Sequence, residues 1–389
     1  MRIRGFKLPK EYNHSLSLEQ CFYQNNETLY SYSPKSRLSF QYKDWETTTL
    51  TSLVKDRPQP IKYIAKLLKA TVTGHCGVVD SSNKVPSIII SSADTHTENR
   101  VIIADQLVQN TKYLNIIGSQ ANDKFTLGCK NKFVQNNKKG QYLLLTSIAD
   151  IAFSHFVFDS FTKLLVLPNK SLLEELKIIV NESIKPYQVS FLTEFGISNE
   201  NIIKKPYNED WLCEQLLVIQ QPASNNNYIT PAYFHMLRNY LLSTYPPDYK
   251  KPWPSRVYLD RDDERSQMRA IVNEAELKAI AIKHGFTVLT PGKLSFADKV
   301  AMFANADCII GQYGGGLQFG VTCPPHSKWL VLQSPHFYRH QINLHSALLP
   351  MDVLNLTGDA VEAKPKYLNN DPFKVDAQSF EAALVAHFN

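Results

Sequence analysis

Four glycines follow a short apolar run in the second half of the sequence. Cys308–Ile310 predicts a strand, and Gly311, Gly314, Gly315 and Gly316 come directly after it. Glycine lets the backbone turn sharply and approach a ligand closely, and amide groups at the start of the next helix attract anions. A diphosphate suits such a loop, although a tight turn without a ligand fits the same pattern. A dinucleotide fingerprint is disfavoured, because it belongs after the first strand of a domain and this loop follows the third.

Arginines recur upstream of the glycine loop at helical spacing. The sequence predicts a helix over Glu264–His284, on which Arg265, Arg269 and Asn273 form one polar stripe, with Arg261 in the loop before it. Guanidinium groups match phosphate geometry, so this stripe can hold anionic oxygens. The alternative is an exposed helix face paired with neighbouring glutamates. The position of Arg261 at the carboxyl end of a strand, where ligands gather in such folds, favours binding.

Two patterns could bind a metal ion, and neither is specific. Asp260–Asp262 reads Asp-Arg-Asp, the Asp-x-Asp pattern of metal-dependent sugar transfer, but three residues of this kind often coincide by chance. The histidines His336, His340 and His345 show no complete set of zinc ligands by spacing. We therefore predict no metal, since arginines and helix amides can neutralise an anionic group by themselves.

His155 and Asp159 form a second candidate site, within a predicted helix over Ile151–Thr162. Residues four apart on a helix are neighbours, so an imidazole and a carboxylate would share one face. Asp159 could then take a proton from a hydroxyl group as a general base. The alternative is a hydrogen-bonded pair that closes a buried helix end, and the spacing alone favours it.

The elements around the glycine loop predict a domain over 256–389. Alternating units of this length imply a parallel, doubly wound sheet. The predicted strands are Arg256–Leu259, Phe286–Leu289, Cys308–Ile310 and Trp329–Leu332, and a helix over Ser295–Asn305 begins with a Ser-x-x-Asp capping pattern.

The rest of the chain predicts an irregular arm over 1–60, an α/β domain over 61–245 and a proline-rich linker over 246–255. In the middle domain the apolar runs predict additional strands at Ala70–Thr73, Ser87–Ser91, Tyr113–Ile117 and Tyr142–Leu145. The later elements are strands at Leu164–Leu167 and Glu214–Ile219, and helices at Ser171–Glu182 and Pro231–Leu242.

Composition restricts the class of protein. A net charge of +6 over 389 residues, without a basic stripe, suits an anionic small ligand and disfavours nucleic acid. Six cysteines without a Cys-x-x-Cys pair favour a reducing compartment. No apolar stretch follows the basic N-terminus, and Asp150, His155, Asp159 and Lys163 interrupt the most apolar region, so we predict a cytoplasmic protein, with peripheral contact to the inner membrane left open.

These motifs together resemble glycosyltransferase family 61. The resemblance is carried by Arg261, Arg269, Asn273-Glu274, Gly285-Phe286 and the sequence from Gly311 to Leu317, together with His155-Phe156-x-x-Asp159, which is similar to the family's H-F-x-x-D helix. It covers roughly Leu68 to Asp352. The family includes plant β-1,2-xylosyltransferases, animal O-linked N-acetylglucosaminyltransferases and bacterial enzymes of surface-polysaccharide synthesis, and this chain is similar to its bacterial members.

The resemblance implies an inverting, metal-independent enzyme without a cofactor and of GT-B type, an α/β fold with two Rossmann-like domains facing a cleft. The implied donor is a nucleotide-diphosphate sugar, with UDP expected as the nucleotide, and the acceptor a saccharide or glycolipid in surface-polysaccharide or lipopolysaccharide synthesis. The implied donor site comprises Arg261, Arg265, Arg269, Asn273, Glu274, Tyr313, Gly314, Gly315, Gly316 and Leu317, with Asp159 and His155 as catalytic residues.

One departure from the family pattern leaves a second interpretation open. Tyr313 stands where the family has histidine, and a tyrosine can donate a neutral hydrogen bond to phosphate but cannot become a cation near neutral pH. A non-catalytic protein that binds nucleotide sugars or glycans is therefore the chief alternative. A nicotinamide-dependent oxidoreductase ranks last, because no fingerprint opens a sheet.

Overall fold

The structure is a computed structural model of the 389-residue chain. It describes residues 2–3, 36–44, 50–57, 64–80, 87–90, 116–121, 124–129, 133–147, 150–167, 172–219, 223–224, 228–229, 231–247, 253–261, 268–337, 341–346, 348–361 and 371–388. These residues form two compact units. Unit 1 comprises Met1–Ser36 and Arg57–Tyr233, and unit 2 comprises Arg37–Asp56 and Phe234–Asn389. The boundary between the two units, after Tyr233, therefore lies on the N-terminal side of the linker predicted over 246–255.

Strands are numbered along the chain. They are β1 Arg2–Ile3, β2 Ser36–Asp44, β3 Leu50–Arg57, β4 Ile64–Thr73, β5 Gly77–Asp80, β6 Ser87–Ile90, β7 Ile116–Ala121, β8 Lys124–Cys129, β9 Val134–Leu144, β10 Lys177–Asn181, β11 Ile202–Lys205, β12 Glu209–Ile219, β13 Ala223–Ser224, β14 Tyr228–Ile229, β15 Arg256–Leu259, β16 Thr287–Leu289, β17 Cys308–Gln312, β18 Lys328–Gln333, β19 Asp352–Thr357, β20 Asp359–Ala360 and β21 Phe373–Lys374.

Helices are numbered in the same way. They are α1 Phe153–His155, α2 Leu172–Glu175, α3 Pro186–Glu194, α4 Pro231–Thr244, α5 Glu274–Lys283, α6 Phe296–Asn305, α7 Gln341–Ser346 and α8 Ala377–Phe388. A π-helix spans Phe156–Ser160, and 3-10 helices span Phe161–Val166, Asn199–Asn201, Pro291–Lys293 and Gly315–Thr322. Within the described residues, no helix is both long enough and apolar enough to cross a membrane.

The main sheet of unit 1 has the strand order β11-β10-β9-β12-β4-β5-β6. The neighbours from β11 to β12 are parallel, whereas β12 pairs with β4, β4 with β5 and β5 with β6 in antiparallel fashion. The chain moves outward from β9 to β11 and then returns to the other side of β9 with β12. This order is typical of doubly wound α/β folds. Of the predicted additional strands, Ala70–Thr73 is the end of β4, Ser87–Ser91 matches β6, and Tyr142–Leu145 matches the end of β9.

Two elements of unit 1 differ from the prediction. The segment from Leu164 to Leu167 is not a strand, since the helical turns that start at Phe153 continue to Val166. The predicted helix over Ser171–Glu182 is also wrong beyond its first turn. The β-branched residues of β10 add to the sheet beside β9, with Ile178 opposite Leu143. Long-range pairing therefore decides the structure of this segment rather than local helix propensity.

The sheet of unit 2 has the order β16-β15-β17-β18-β19-β2-β3. The neighbours from β16 to β2 are parallel. Residues Trp329–Leu332 are fully buried, as expected for a central strand with both faces covered. These pairings confirm the predicted parallel sheet. The strand order reverses between β15 and β17, which makes that position the switch point of the sheet.

The helix after β15 is shorter than predicted. It begins at Glu274 rather than Glu264, because Arg269 has φ of +57°, which no α-helix accommodates. The backbone of Ala270 and Val272 pairs instead with Phe373, through Phe373 N to Ala270 O and Val272 N to Phe373 O, each at 3.0 Å. The predicted stripe of Arg269 and Asn273 on one helix is therefore wrong, and Arg265 lies outside the described residues.

Candidate functional site

The switch point of unit 2 brings together two segments that are far apart in the sequence. Strand β15 ends at Leu259 and continues into Asp260 and Arg261, while the neighbouring β17 ends at Gln312 and continues into the glycine turn. Because both strands run in the same direction, both segments lie at the same edge of the sheet. In open α/β sheets, ligands bind at this edge where the strand order reverses.

Gly314 packs directly against Arg261. A Cβ atom added to Gly314 would lie 3.7 Å from the guanidinium carbon of Arg261. The Gly314 backbone is extended, with φ of 174°, and a Cβ atom there would make only an ordinary van der Waals contact with Arg261. A 3-10 helix begins at Gly315, and the Leu317 amide donates to the Gly314 carbonyl at 3.2 Å. The structure thus places the predicted arginine and the predicted glycine turn side by side.

Arg269 also contacts residues at this edge of the sheet, but from a left-handed turn and not from the predicted helix. Its guanidinium carbon lies 4.6 Å from the centre of the Phe337 ring, a cation–π distance. The Gln312 side chain donates through Nε2 to the carbonyl oxygen of Arg269. Gln312 is the last residue of β17, and Phe337 follows β18. Residues from two strand ends therefore contact the left-handed turn at Arg269. Arg269 is only 9% exposed.

Tyr313 is buried next to this arrangement. Its amide donates to the carbonyl of Leu332 at 2.9 Å, and its ring centre lies 6.1 Å from that of Phe337. The residue therefore extends the pairing of β17 with β18 by one position, and its ring forms part of the same aromatic and guanidinium cluster.

Two acidic residues near this edge of the sheet, Asp260 and Glu274, contact Lys278. Lys278 Nζ contacts Asp260 Oδ1 at 2.7 Å and Glu274 Oε2 at 4.0 Å. Burial raises the pKa of Glu274, and the charge of Lys278 opposes this rise. Asp260 is thus already engaged with a lysine. Among the described residues, no group of three or more His, Cys, Asp or Glu side chains could hold a metal ion. Asp262 lies outside them.

The remaining predicted side chains of unit 2 are positioned differently. Asn273 bridges to the C-terminal segment, since its Nδ2 donates to Val375 O at 2.8 Å and its Oδ1 accepts from Val375 N at 3.2 Å. His345 is fully buried, and burial lowers its pKa to about 4. His336 follows β18, and His340 lies outside the described residues.

In unit 1, His155 and Asp159 contact each other as their spacing predicts. His155 Nδ1 lies 2.6 Å from Asp159 Oδ2. The side chain of Asp159 is 5% exposed and that of His155 is 27% exposed, so the imidazole is the accessible member of the pair. Asp159 Oδ1 is buried and has no hydrogen-bond partner among the described residues. The pair lies where the short α1 turn continues into the π-helix.

The charges around this pair are also buried. Burial would lower the pKa of His155, but the charge and hydrogen bond of Asp159, with a smaller effect of Asp150, raise it overall. Lys163 is fully buried and donates to the carbonyl of Thr146 at 2.8 Å. Burial lowers the pKa of Lys163 to about 8, against the opposing charges of Cys76, Asp150 and Asp159. The cluster thus holds two carboxyl groups, one imidazole and one amine within unit 1.

A family model described as Glycosyltransferase 61 matches residues 153–330. This segment belongs to glycosyltransferase family 61. The chain is therefore a glycosyltransferase, and the matched segment contains the His155–Asp159 pair as well as Arg261 and Gly314.

Two crystal structures of TibC resemble the glycosyltransferase weakly. The bacterial iron-containing dodecameric glycosyltransferase TibC from enterotoxigenic E. coli H10407 is 10% identical, over 96% of this chain and 91% of that chain, with a TM-score of 0.29. The heptosyltransferase TibC in complex with ADP-D-beta-D-heptose is 11% identical, over 79% of this chain and 77% of that chain, with a TM-score of 0.25. No curated protein sequence matches it.

The glycosyltransferase has three site residues that the sequence did not single out for a role. Gln312 and Phe337 support Arg269 from two strands, and Lys163 provides a cation beside Asp150 and Asp159. Phe337 leaves no local signal, since it stands in a loop without periodicity. Lys163 does have a local sequence signal. It stands in an apolar run, where a lysine is buried only when its charge is compensated, so its position indicates a nearby carboxylate.

Proposed function

We propose that the chain is an inverting, metal-independent glycosyltransferase that takes a sugar from a nucleotide-diphosphate donor. The observation that carries this proposal is the contact of Arg261 with Gly314 at the switch point of a parallel sheet. In the proposed complex the diphosphate lies against this contact. The donor nucleotide is UDP, and the acceptor is a saccharide or glycolipid of surface-polysaccharide or lipopolysaccharide synthesis, in keeping with the family.

The side chains of the proposed donor site match a leaving diphosphate in charge. Arg261 and Arg269 supply two guanidinium groups, which can bind phosphate oxygens in bidentate fashion. The amides of the Gly315–Thr322 helix add donors without adding mobile groups. Tyr313 supplies a phenol near this site, and Glu274 is assigned to the ribose. Asn273 is left out, because its amide group is already bonded to Val375.

Metal independence rests on the same charges. Two arginines can neutralise the negative charge that grows on the diphosphate as its bond to the sugar breaks. Asp260 supports the proposal indirectly, since its contact with Lys278 engages one carboxylate oxygen that a divalent ion would need. A direct check is transfer activity after exhaustive treatment with a chelator, which we expect to remain at the untreated level.

The geometry of unit 1 favours His155 over Asp159 as the base. In the proposed step, an acceptor hydroxyl oxygen attacks the anomeric carbon and the bond from that carbon to the diphosphate oxygen breaks. His155 Nε2 takes the hydroxyl proton, and the electron pair of the broken bond leaves with the diphosphate. Asp159 acts as a positioning residue, because its Oδ2 fixes the ring through Nδ1 and stabilises the imidazolium that forms. Unit 1 thus handles the acceptor and unit 2 the donor, the division of roles in a GT-B enzyme.

Isothermal calorimetry with UDP tests the donor site. We expect Arg261→Ala to weaken UDP binding by roughly 10- to 100-fold, and Arg261→Lys to recover only part of this loss because an ammonium group lacks the planar fork. Arg256→Lys is a matched control, since Arg256 contacts Phe286 and Phe388 and not the glycine turn. Equal UDP affinity of wild type and Arg261→Ala would overturn the donor site.

A second function, binding without turnover, is favoured by one residue. Tyr313 replaces a histidine of the family pattern, and its buried ring cannot supply a positive charge near neutral pH. A panel of UDP-sugars separates the two functions: slow release of UDP from one donor indicates an active transferase, whereas stable binding without any release of UDP indicates a binding protein.

A further inference from the structure

The 3-10 helix over Gly315–Thr322, which provides backbone amides to the proposed donor site, is long for its type. It has eight residues, whereas most 3-10 helices have no more than about three or four, because their hydrogen bonds have poorer geometry. Every residue from Leu317 to Thr322 is buried. Contacts with neighbouring elements are therefore needed to fix the position of this helix.

The C-terminal end of the 3-10 helix is bonded to an arginine of α4. Arg238 Nη1 donates to the carbonyl oxygen of Val321 at 2.6 Å and to that of Cys323 at 2.8 Å. Val321 is in the last turn of the helix, and Cys323 is the residue directly after it. The last carbonyl groups of a helix have no partners within the helix, and a cation there also complements the helix dipole. Such charge-assisted hydrogen bonds are stronger than neutral ones.

The guanidinium group of Arg238 is not balanced by an acidic side chain. Burial lowers the pKa of Arg238, and no carboxylate among the described residues opposes this change. Burying a charge is costly unless it is paired or hydrogen-bonded. The two carbonyl oxygens at the helix end therefore provide the compensation, so the contact between Arg238 and this helix end stabilises both partners.

The body of the 3-10 helix is closely packed. The ring of Phe319 lies 5.0 Å from that of Phe296 and 5.9 Å from that of Phe303, measured between ring centres. Gly320 lies against Trp329, since a Cβ atom added to this glycine would come within 2.6 Å of Trp329 Cη2. Packed segments shift as rigid pieces and do not deform continuously. A displacement of the C-terminal end would therefore also move the amides at the other end.

We propose that Arg238 is a positioning residue of the donor site, which holds the 3-10 helix so that the amides of Gly315 and Gly316 face the diphosphate. The inference rests on the proposed function and deepens it, because it assigns a role in donor binding to a side chain that does not contact the donor. A Cβ atom added to Gly316 would have no described atom within 4 Å, so a ligand can approach this backbone. Without Arg238 the helix end loses two hydrogen bonds, and the amides lose their alignment with the phosphate oxygens.

Calorimetry with UDP and amide hydrogen exchange, both on the full chain, test this role. Arg238→Met keeps the apolar stem of the side chain and removes its donors. We expect UDP binding to weaken by about tenfold, and the amides of Gly315–Thr322 to exchange faster than in wild type. Arg238→Lys should restore most of the affinity, because one ammonium group can donate to both carbonyl oxygens.

Arg256→Met is the matched control, since the Arg256 guanidinium lies against the rings of Phe286 and Phe388 in unit 2. It should lower thermal stability without a change in UDP affinity or in the exchange of Gly315–Thr322. A purely structural role of Arg238 predicts the same result for Arg238→Met, namely lower thermal stability with wild-type affinity for UDP.

Equal UDP affinity of wild type and Arg238→Met, or unchanged exchange in the 3-10 helix, overturns the inference. The donor site still stands in that case if Arg261→Ala weakens UDP binding. Failure of the wild type to bind UDP overturns the proposed donor site and this inference together, so the two cases are distinguishable. Arg238→Gln replaces Arg238→Met if the latter does not fold, and wild-type UDP affinity in this variant has the same meaning.

Discussion

In each unit the order of the parallel strands reverses at one point of the sheet. The side chains that follow the strands near these two points differ in charge and chemistry. In unit 1 the edge lies near Asp150 and Asp159, with His155 beside them and a buried lysine for compensation. In unit 2 the edge holds Arg261 and Arg269 around a glycine turn. One edge is suited to accept a proton and hydroxyl groups, and the other to accept an anion.

This difference shows what the fold contributes and what it leaves to the loops. The topology determines where each site lies, because carboxyl ends of parallel strands converge at one edge. The chemistry comes from the residues directly after each strand. A transferase needs a base for the acceptor and positive charge for the leaving group, and we propose that each unit supplies one of these functions. Three substitutions test this separation of roles.

The largest effect is expected for His155→Gln, which keeps a polar side chain but removes the proton acceptor. Transfer should fall by roughly 10²- to 10⁴-fold, the usual contribution of a general base. UDP affinity should remain at the wild-type level, because the residue belongs to the other edge. Steady-state transfer and calorimetry on the same preparation measure both quantities. A loss of UDP binding together with activity would mean that the two edges are not separate in function.

A smaller effect is expected for Asp159→Asn, with a shift in the pH dependence. The carboxylate raises the pKa of His155, and Asp150 adds a weaker charge of the same sign. Without the Asp159 charge, His155 loses its proton at lower pH, so the acidic limb of kcat/KM should move to lower pH while the rate decreases. The buried amine of Lys163 faces the same group and should stay charged through this range, since its pKa is about 8. An unmoved acidic limb would exclude His155 as the titrating base.

The smallest effect is expected for Phe337→Leu, which removes the aromatic face against Arg269 but keeps an apolar side chain. UDP binding should weaken about fivefold, corresponding to about 1 kcal/mol for a cation–π contact. Phe337→Tyr should restore affinity. The matched control is Phe286→Leu, because Phe286 lies 4.5 Å from the guanidinium of Arg256 away from the site. This control should lower thermal stability without a change in UDP affinity, and an equal loss of affinity in both variants would contradict a specific role of Phe337.

The sequence predicted the fold best where local pattern and burial agree. Trp329–Leu332 is a continuous apolar run between turn residues and forms a central strand with both faces covered. Ser295 caps α6 as its Ser-x-x-Asp pattern predicts, since its side chain accepts from the Asp298 amide. These signals are contained within a few residues, so no knowledge of the tertiary structure is needed to interpret them.

Prediction failed where distant segments decide the backbone. Helical spacing continues through Arg269 and Asn273, but pairing of Ala270 and Val272 with Phe373 replaces the helix with a turn. The juxtaposition of Arg261 and Gly314 could be predicted, because both follow parallel strands of one domain. The contact between Arg269 and Phe337 could not, since it depends on a left-handed residue that spacing does not reveal.

The π-helix at Phe156–Ser160 has a consequence for how this protein can change. A π-turn is the form that a helix takes when one residue is inserted, and here the Phe161 amide reaches back to the Phe156 carbonyl. Deleting one residue from this turn would restore regular α-helical geometry, but it would rotate every later side chain by about 100° around the axis. A deletion between His155 and Asp159 would change their spacing from four residues to three and so alter the geometry of the Nδ1–Oδ2 contact. We therefore expect the proposed catalytic pair to constrain insertions and deletions between these two residues.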